Sequence, residues 1–486
     1  MGRPNVVLIM SDQHRFDFMG YESNGTTFTP SLDALGRQGT IFRNAYCNSP
    51  LCSPSRICFA AGRYGMNCGA FSNLHEPPWH MPSFVSQLRA GGYRTCAIGK
   101  THMEIHAYNS DLNSFRHREF MDSLGWDEIR ESAGNALITV GIQDSYSRWL
   151  QDIGMFDKVA DFMCQWGVPN VPRKNPTHSF KAVEWPFPTE IQETAFYGRH
   201  AVEWINAWEG KQPFFLHVGF LAPHSPIHEN KDDLALYRDV PEPEPWGNPA
   251  PQPWLADGRR GYRAMITHVD RWVGKIVEAL KAKGLLDNTL VIYTSDHGEM
   301  AGDFGRFDKG VFYEGSIRIP MIVAGPGVRA GQDSKALVEL LDLGRTICDW
   351  CGVPAHRLDQ GKSLVPVLRD GAAAHRDTIY AEYICDKMLF DGRYKLMFGD
   401  PATDKRNFGG PQHTHKPAFA PPNRWRLFDM ANDPHELHDL SDDPQYLPLA
   451  AEMMRKLLVR ITENTQPLPS KDRGTPRPMH PETVRT

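Results

Sequence analysis

Short runs of consecutive apolar residues alternate along the chain with segments of helical periodicity. These runs have strand length and no polar alternation, which is typical of strands buried on both faces of a sheet. The four runs are residues 5–10, 93–98, 214–220 and 289–294. Between the last two, apolar side chains recur at helical spacing from Met265 to Leu280, and Gly284 follows them. The alternation predicts βαβ units and an α/β fold: a large, mostly parallel sheet flanked by helices.

The pattern changes near residue 370, where short apolar segments joined by turns replace the longer units. They predict a smaller antiparallel sheet followed by one helix. The predicted strands are residues 379–384, 387–390, 394–398 and 424–429, and the helix is residues 449–461. We therefore expect a large α/β domain over residues 1–372, a C-terminal subdomain over 373–464 and a polar tail over 465–486.

Other segments give coarser predictions. Residues 318–323 are apolar apart from Arg318, and we expect a helical run to follow them as far as Cys351. Residues 104–200 show no long periodicity and predict loops and short helices around a pocket. Residues 240–254 carry six prolines and predict an extended surface loop.

The stretch from Cys52 to Arg56 reads as the start of a helix. Pro54 fits the first turn, where its missing N–H costs nothing, and Gly62 is placed to end the helix. Cys52 would then lie at the positive end of the helix dipole, with Arg56 one turn further on. The alternative is a buried structural cysteine followed by a surface arginine, and this stretch alone does not decide between the two.

Polar side chains follow each of the four central strands. In a parallel sheet these strand ends lie at one edge, which is where ligands collect in open α/β sheets. Oxygen donors from Asp12, Gln13 and Asp296, joined by His297, suit a hard divalent cation, Ca²⁺ first, with Mn²⁺ or Mg²⁺ as alternatives. The remaining candidates are cations or neutral donors, a set that stabilises charge on an anionic tetrahedral group. They are Arg56, Lys100, His102, His224 and Lys309.

Composition excludes several classes of function. A net charge of −5 argues against a general nucleic-acid binder, and no run of about 18 apolar residues exists that would span a membrane. Nine cysteines, an odd number, and the lack of a signal-peptide pattern favour reduced thiols in the cytoplasm.

The remaining cysteines and histidines are interpreted in simpler terms. Cys348 and Cys351 lie in an apolar helical run and are expected to pack in the core, as are four further cysteines. Those four are Cys47, Cys58, Cys68 and Cys96. His413 and His415 are expected at the surface, and His14 and His228 are candidates to line the pocket.

Several separated motifs resemble, in order, those of the formylglycine-dependent sulfatases of the alkaline phosphatase superfamily. The resemblance runs from residue 5 to about residue 445. The motifs are Cys52-Ser53-Pro54-Ser55-Arg56 with Ala61-Gly62-Arg63, Gly99-Lys100-Thr101-His102, Ser295-Asp296-His297-Gly298, Phe307-Asp308-Lys309, Tyr313 to Pro320, and Leu427-Phe428-Asp429 with Asn432-Asp433-Pro434 and Glu436.

The resemblance implies an alkaline phosphatase-like fold and a mechanism. Cys52 is oxidised to formylglycine by a formylglycine-generating enzyme, and one hydroxyl of the aldehyde hydrate attacks sulfur while the alcohol leaves. The second hydroxyl then loses its proton and sulfate is expelled. Neither a plain serine nor a cysteine offers that second hydroxyl.

The resemblance also implies a role for each site residue. Asp12, Gln13, Asp296 and His297 match the metal ligands, together with the modified Cys52. Many members have two acids where this chain has Asp12-Gln13, and often Asn in place of His297, which leaves the metal open. The other implied roles are orientation of the hydrate by Arg56, sulfate binding by Lys100 and Lys309, proton removal by His102, assistance to the leaving oxygen by His224, and an amide donor from Asn73.

Three functions are compared. The first is a sulfuric ester hydrolase acting on an aryl or small alkyl sulfate, with phosphoesterase side activity; sugar and choline-like sulfates stay open as substrates. The second is a phosphonate monoester or phosphodiester hydrolase on the same scaffold, which Lys100 and His102 disfavour because those relatives often have uncharged residues there. The third is an inactive anion-binding protein, against which the intact Cys52 and Arg56 argue. A dimer or tetramer is expected.

Overall fold

The computed structural model describes residues 3–73, 76–103, 110–134, 141–165, 179–399 and 425–466. Within these residues a large sheet carries helices on both faces, and a small second sheet follows towards the C-terminus. The expected α/β class is confirmed.

The large sheet joins eight of the described strands in the order β10-β2-β9-β8-β1-β6-β3-β4. All neighbours are parallel except β9, which is antiparallel to both β2 and β8. The strands before the C-terminal region are β1 (Asn5–Ser11), β2 (Gly39–Tyr46), β3 (Arg94–Gly99), β4 (Glu128–Glu131), β5 (Val183–Glu184), β6 (Phe214–Phe220), β7 (His228–Glu229), β8 (Thr289–Ser295), β9 (Met321–Ala324) and β10 (Gln332–Glu339). Strands β5 and β7 form a separate two-stranded pair.

The four strands predicted from apolar runs lie side by side at the centre of the sheet, as β8-β1-β6-β3. Their side chains alternate between two hydrophobic cores: Val6, Leu8 and Met10 face one, and Val7 and Ile9 face the other. Both faces are covered, so nearly every position in these strands is apolar.

The helices divide between the two faces of the sheet. Helices α2, α4 and α12 contribute to the first core, and α1, α8 and α10 to the second. The helices of the described residues are α1 (Pro30–Arg37), α2 (Cys52–Ala61), α3 (Gly65–Cys68), α4 (Phe84–Ala90), α5 (Phe115–Ser123), α6 (Ser145–Asp152), α7 (Phe156–Gln165), α8 (Glu193–Ala207), α9 (Lys231–Leu236), α10 (Leu255–Ala282), α11 (Glu314–Ile317), α12 (Asp342–Trp350), α13 (Val365–Asp370) and α14 (Leu447–Asn464). None of the helices described is both long enough and apolar enough to cross a membrane.

One prediction from periodicity was wrong, and strand β2 was not predicted. The helical run expected up to Cys351 contains strand β10, and only α12 is helical. Strand β10 pairs with β2, which the apolar pattern also missed. Both strands lie towards one edge of the sheet and carry partly exposed polar residues, so they lack the continuous apolar run of a central strand.

Segments with little periodicity are described in part. Residues 104–109, 135–140 and 166–178 of the predicted pocket region lie outside the described residues, as do residues 400–424, which include His413 and His415, and residues 467–486 of the predicted tail. The described parts of 104–200 contain short helices, as expected, together with the edge strand β4. The proline-rich residues 240–254 contain no helix or strand.

Glycines near the ends of the central strands β3 and β6 allow the two backbones to approach each other closely there. A Cβ on Gly99, whose φ is +88°, would meet the carbonyl oxygen of Gly219 at 2.0 Å. The backbone N–H of Lys100 donates to that same oxygen at 2.8 Å. The glycine pair therefore fixes where the chain turns to present Lys100.

The small sheet is antiparallel and joins β11 (Ile379–Tyr383), β12 (Asp386–Phe390), β13 (Tyr394–Phe398) and β14 (Trp425–Asp429) in sequence order. Helix α14 covers one face, where Ala450, Met453 and Leu457 pack against Tyr380 and Leu389. The predicted antiparallel sheet and final helix are confirmed.

A buried ion cluster ties this small sheet to the large domain. The Nζ atom of Lys395 on β13 lies 2.5 Å from Oε1 of Glu314 and 2.7 Å from Oε1 of Glu436. Burial lowers the pKa of Lys395, but the two carboxylates have the larger and opposite effect. The pKa is therefore raised above its ordinary value, and the ammonium stays charged. Glu436 also accepts the backbone N–H of Glu314 at 2.7 Å.

We predict that Lys395→Met destabilises the protein by about 3 kcal/mol, because it removes the cation that two buried carboxylates share, and the contact of Arg318 with Glu314 at 3.3 Å replaces it only in part. Thermal unfolding followed by circular dichroism measures the effect. Lys335→Met is the control, since Lys335 is exposed. Equal melting temperatures for the two variants would show that the cluster does not hold the sheets together.

Candidate active site

The carboxyl ends of the central strands form the floor of the site. Asp12 follows β1, and its backbone N–H donates to the carbonyl of Phe220 at 3.0 Å. Asp296 follows β8, and its N–H donates to the carbonyl of Ser11 at 3.3 Å. The parallel register thus sets the two aspartates side by side, as the sequence pattern predicted.

Asp12, Cys52, Asp296 and His297 form one fully buried cluster whose potential ligand atoms all lie within 4.8 Å of one another. Sγ of Cys52 is 3.1 Å from Nε2 of His297 and 3.7 Å from Oδ1 of Asp12. Nε2 of His297 is 3.7 Å from Oδ1 of each aspartate. One oxygen of each carboxylate therefore faces a common centre.

Cys52 reaches this centre from the N-terminus of α2. The helix begins at Cys52 and ends before Gly62, whose φ is +57°, so both predicted helix ends are confirmed. The side-chain oxygen of Asn73 accepts the backbone N–H of Ser53 at 3.1 Å, and the hydroxyl of Ser55 donates to the carbonyl of Asp296 at 2.6 Å. These bonds hold the first turn of α2 against the two aspartates.

Arg56 and Lys100 occupy the other oxygens of the aspartates. Nε of Arg56 donates to Oδ2 of Asp296 at 2.7 Å, and Nζ of Lys100 lies 2.5 Å from Oδ2 of Asp12. Arg56 also donates to the carbonyl of Lys100 at 2.6 Å. Arg56 is buried and paired, so the alternative of a surface arginine is excluded.

These charges set the protonation of the centre. Burial raises the pKa of Asp12, but Lys100 and Arg56 lower it well below its usual range. Burial and Asp12 raise the pKa of the Cys52 thiol, yet Lys309, His297 and Lys100 bring it below its ordinary value. Without an ion, burial lowers the pKa of His297, while Asp296 and Cys52 raise it to about 9.

Lys309 and His224 lie beside the cluster. Nζ of Lys309 is 2.7 Å from Nε2 of His224, and Nδ1 of His224 is 2.6 Å from the carbonyl of Ser225. Burial and Lys309 lower the pKa of His224 well below its usual range. The neutral ring therefore donates from Nδ1 to the carbonyl and accepts from the Lys309 ammonium at Nε2.

Gln13 lies next to the cluster, and both its backbone and its side chain form hydrogen bonds there. Its backbone N–H donates to Oδ1 of Asp296 at 3.0 Å, and its side-chain oxygen accepts from Lys309. Its side-chain NH₂ donates to Glu299 and, at 3.3 Å, to Asp308. Burial and Asp308 raise the pKa of Glu299 to about 8, against the lowering effect of its N–H donors and Lys309.

Lys100 to His102 form a loop held by Glu131, at the end of β4. One oxygen of Glu131 accepts the N–H of Thr101 at 2.7 Å and of His102 at 3.2 Å, and the other accepts the Thr101 hydroxyl at 2.7 Å. His102 has a φ of +53°. Its ring role stays a prediction.

Two buried acids, Glu131 and Glu299, were not identified from the sequence. Glu131 lies in the weakly periodic region and Glu299 directly follows a recognised motif. Only the position of Glu299, two residues after His297, could have drawn attention to it.

The donor set fits a divalent cation. Two buried carboxylate oxygens and an imidazole converge on one centre, and residue 52 would add an oxygen donor if its thiol were oxidised. Carboxylates and imidazole are accepted by Ca²⁺, Mg²⁺ and Mn²⁺ to different degrees, so these donors do not select the ion.

The remaining predicted residues have contacts outside the cluster of Asp12, Cys52, Asp296 and His297. His14 is buried and bonded at its two ring nitrogens, to the Tyr293 hydroxyl at 2.6 Å and the Phe18 carbonyl at 3.3 Å, so it supports the floor of the site. His228 stacks on Trp185. The cysteines expected to pack in the core are buried, except for partly exposed Cys68.

Comparisons with known proteins give a consistent result. The family model described as Sulfatase matches residues 4–353. The chain is 26% identical over 494 residues to an arylsulfatase of Clostridium perfringens, covering 96% of this chain and 95% of that protein. It is 28% identical over 506 residues to the multifunctional alkaline phosphatase superfamily protein PehA of Trinickia caryophylli, covering 94% and 95%.

Solved structures show the same fold. The phosphonate monoester hydrolase SpPMH of Silicibacter pomeroyi superimposes with a TM-score of 0.77 at 22% identity, covering 96% of this chain and 98% of that chain. At that identity the likeness speaks for the fold alone.

We predict that Arg56→Met lowers the free energy of unfolding by about 3–5 kcal/mol in metal-free protein, because two buried carboxylates lose a cation. Added Ca²⁺ should stabilise this variant more than the wild type, since the guanidinium no longer offsets the negative charge of the carboxylates that attract the ion.

Thermal unfolding with and without Ca²⁺ measures both effects, and Arg345→Met, at an exposed ion pair, is the control. An equal Ca²⁺-dependent shift in the Arg56→Met variant and the wild type would contradict the assigned ion position.

Proposed function

Because the chain belongs to the sulfatase family and is thereby a sulfuric ester hydrolase, we propose that it cleaves a small sulfate monoester using residue 52 in its formylglycine form. The observation that carries this proposal is the position of Cys52. It lies at a helix N-terminus, 3.1 Å from His297 and 3.7 Å from Asp12, beside buried cations. A thiol with only a packing role would need none of these partners.

Conversion of Cys52 supplies an aldehyde hydrate, whose one hydroxyl attacks sulfur and whose other hydroxyl, once deprotonated, allows sulfate to leave. The chain's own residues prepare this group. The N-terminus of α2 favours negative charge at residue 52, and Arg56 balances the charge of the aspartates around it.

Lys309 and Lys100 provide the positive charge that a sulfate group needs. Lys100 holds Asp12 with one ammonium contact, and Lys309 contacts Gln13 and His224. We assign both ammonium groups, together with the Asn73 side chain, to the sulfate oxygens, where charge develops during S–O cleavage.

His224 and Lys309 act on the leaving oxygen as a pair. His224 is neutral and accepts from Lys309, so the ammonium is the member that carries a proton toward the departing alcohol. His224 then orients the ammonium. His102, on the loop held by Glu131, is assigned the removal of the proton that precedes sulfate release.

Asp12, Asp296, His297 and residue 52, with Gln13 beside them, would hold one divalent cation. We propose Ca²⁺ first, and Mn²⁺ or Mg²⁺ as alternatives. The ion would supply Lewis-acid polarisation of the oxygens bound to sulfur.

A phosphonate monoester or phosphodiester hydrolase is the second candidate. The fold it shares with a phosphonate monoester hydrolase and the likeness to the multifunctional protein PehA favour it. Lys100 and His102 favour the sulfate monoester, since both add positive charge or proton transfer beyond what a phosphodiester requires. Some phosphoesterase side activity is expected because both substrates are tetrahedral anions.

Maturation and assembly complete the proposal. A formylglycine-generating enzyme is the partner during maturation, and a small anionic ester is the substrate. A dimer or tetramer stays a prediction.

The decisive experiment is co-expression with a formylglycine-generating enzyme, followed by mass spectrometry of the peptide over residues 44–63 and measurement of kcat/KM for aryl sulfate, phosphonate and phosphodiester substrates. We expect conversion of Cys52 and the highest kcat/KM with the sulfate. Cys52→Ala is expected to lose at least about 10³-fold, since the nucleophile is gone.

Three outcomes would contradict the proposal. A preference for phosphonate would select the second candidate. Full activity in Cys52→Ala would exclude the covalent mechanism. Converted protein with no activity on any ester would favour an inactive anion-binding protein.

Metal removal gives an independent prediction. Dialysis against a chelator should abolish most activity and lower the melting temperature, and Ca²⁺, Mn²⁺ and Mg²⁺ added separately should restore both to different degrees. The Asp296→Asn variant should show neither the losses on chelation nor the recovery on addition of an ion. Activity that survives exhaustive chelation would argue against the proposed ion.

A further inference from the structure

The hydrogen-bond partners of the Gln13 side chain determine which way its amide faces, and binding a metal ion would not by itself require all of them. Its side-chain amide has a carboxylate on one side and an ammonium on the other: the NH₂ group donates to Glu299 and Asp308, and the oxygen accepts from Lys309. An amide turned by 180° would set its NH₂ against an ammonium and its oxygen against two carboxylates. The three neighbours therefore permit one orientation.

We propose that Glu299 is a positioning residue that keeps the side-chain oxygen of Gln13 turned toward Lys309 and the cation site. This inference rests on the proposed function, because it concerns the same ion. An amide ligand has a wrong face as well as a right one, which a carboxylate ligand does not. A neighbouring acid must then select the face.

The backbone holds Glu299 itself in place. One of its carboxylate oxygens accepts the N–H of Ala301 at 2.9 Å and the N–H of Asp308 at 2.6 Å. The other oxygen is left for the Gln13 amide. Glu299 is fully buried, and its N–H donates to the carbonyl of Gly315 at 2.8 Å, so neither its backbone nor its side chain is placed to swing away.

Gln13 cannot avoid this contact by moving its backbone. Its φ is +69°, its N–H is bonded to Asp296, and its carbonyl accepts from the Tyr262 hydroxyl. Rotation of the side-chain amide is therefore the remaining freedom, and Glu299 and Asp308 together remove it.

Glu299→Gln isolates this effect. Its retained oxygen can still accept the two backbone N–H bonds, so the loop keeps its anchor, while its new NH₂ group faces the NH₂ of Gln13. Gln13 must then turn its oxygen toward residue 299 and its NH₂ toward Lys309 and the ion. We expect Ca²⁺ and Mn²⁺ affinity to fall roughly tenfold to a hundredfold, as for other groups that orient metal ligands.

The swap Gln13→Glu with Glu299→Gln is the rescue. It restores a donor facing an acceptor, presents an oxygen to Lys309, and keeps the same total charge as the wild type. We expect the double variant to recover at least half of the lost binding free energy; Asp308, near the new carboxylate, limits full recovery.

Isothermal titration of metal-stripped protein with CaCl₂ and MnCl₂ measures the affinities, with all variants in the same Cys52 state, checked by mass. Glu382→Gln is the matched control, because Glu382 is a buried carboxylate of β11 that accepts the Met66 N–H at 2.8 Å and belongs to the small sheet.

Asp308→Asn is the second variant, for the case that Glu299→Gln does not fold. Asparagine tolerates the φ of +65° at position 308, and the contact it alters is longer, at 3.3 Å. We expect a loss of Ca²⁺ and Mn²⁺ affinity in this variant too, and we expect it to be smaller than the loss in Glu299→Gln.

The outcomes separate the possible explanations. Weaker metal binding in Glu299→Gln, unchanged binding in the control and recovery in the swap support the proposal. Unchanged affinity in Glu299→Gln, or in Asp308→Asn where that variant is used alone, overturns it. A loss that the swap does not improve also overturns it, because an oxygen presented again toward Lys309 and the ion would then not restore the affinity. Wild-type protein that binds neither ion, and also binds no Mg²⁺ when titrated with MgCl₂, removes the proposed function and this inference together.

Discussion

Two carboxylates buried side by side at the end of a parallel sheet require positive charge from the rest of the chain. Asp12 and Asp296 have no exposed surface, and removing such groups from water costs several kcal/mol each unless cations and hydrogen bonds compensate. Arg56 compensates the charge at one oxygen of Asp296, and Lys100 does so at one oxygen of Asp12. The other oxygens face Cys52 and His297, where the compensation is only partial in the absence of an ion.

This requirement accounts for much of the local architecture. Helix α2 must lie across the strand ends for Arg56 to reach Asp296, and the same placement brings Cys52 to the common centre. The Gly99–Gly219 contact lets β3 end close enough for Lys100 to reach Asp12. The cations that hold the aspartates thus also create the positive environment in which an anionic ester can be bound and cleaved.

Sequence reasoning succeeded where the physics is local or periodic. Continuous apolar runs identified the four central strands, and because parallel strands end at one edge, they also identified the polar residues that follow them. Helix α2 was predicted from Pro54 and Gly62. Strands β2 and β10, the two outermost strands on one side of the large sheet, were missed because their partly exposed residues remove the continuous apolar signal.

The residues that orient the site could not be found in this way. Glu131 acts on a loop 30 positions earlier in the chain, and Glu299 acts on Gln13 from 286 positions away. Their role depends on which donors a carboxylate meets after folding, and no spacing in the sequence encodes that. A motif names the groups that touch the ester; the buried acids behind them determine which face each group presents. Substituting an amide for an acid at position 13 therefore changes more than charge, because it makes the site depend on a second acid that a carboxylate ligand would not need.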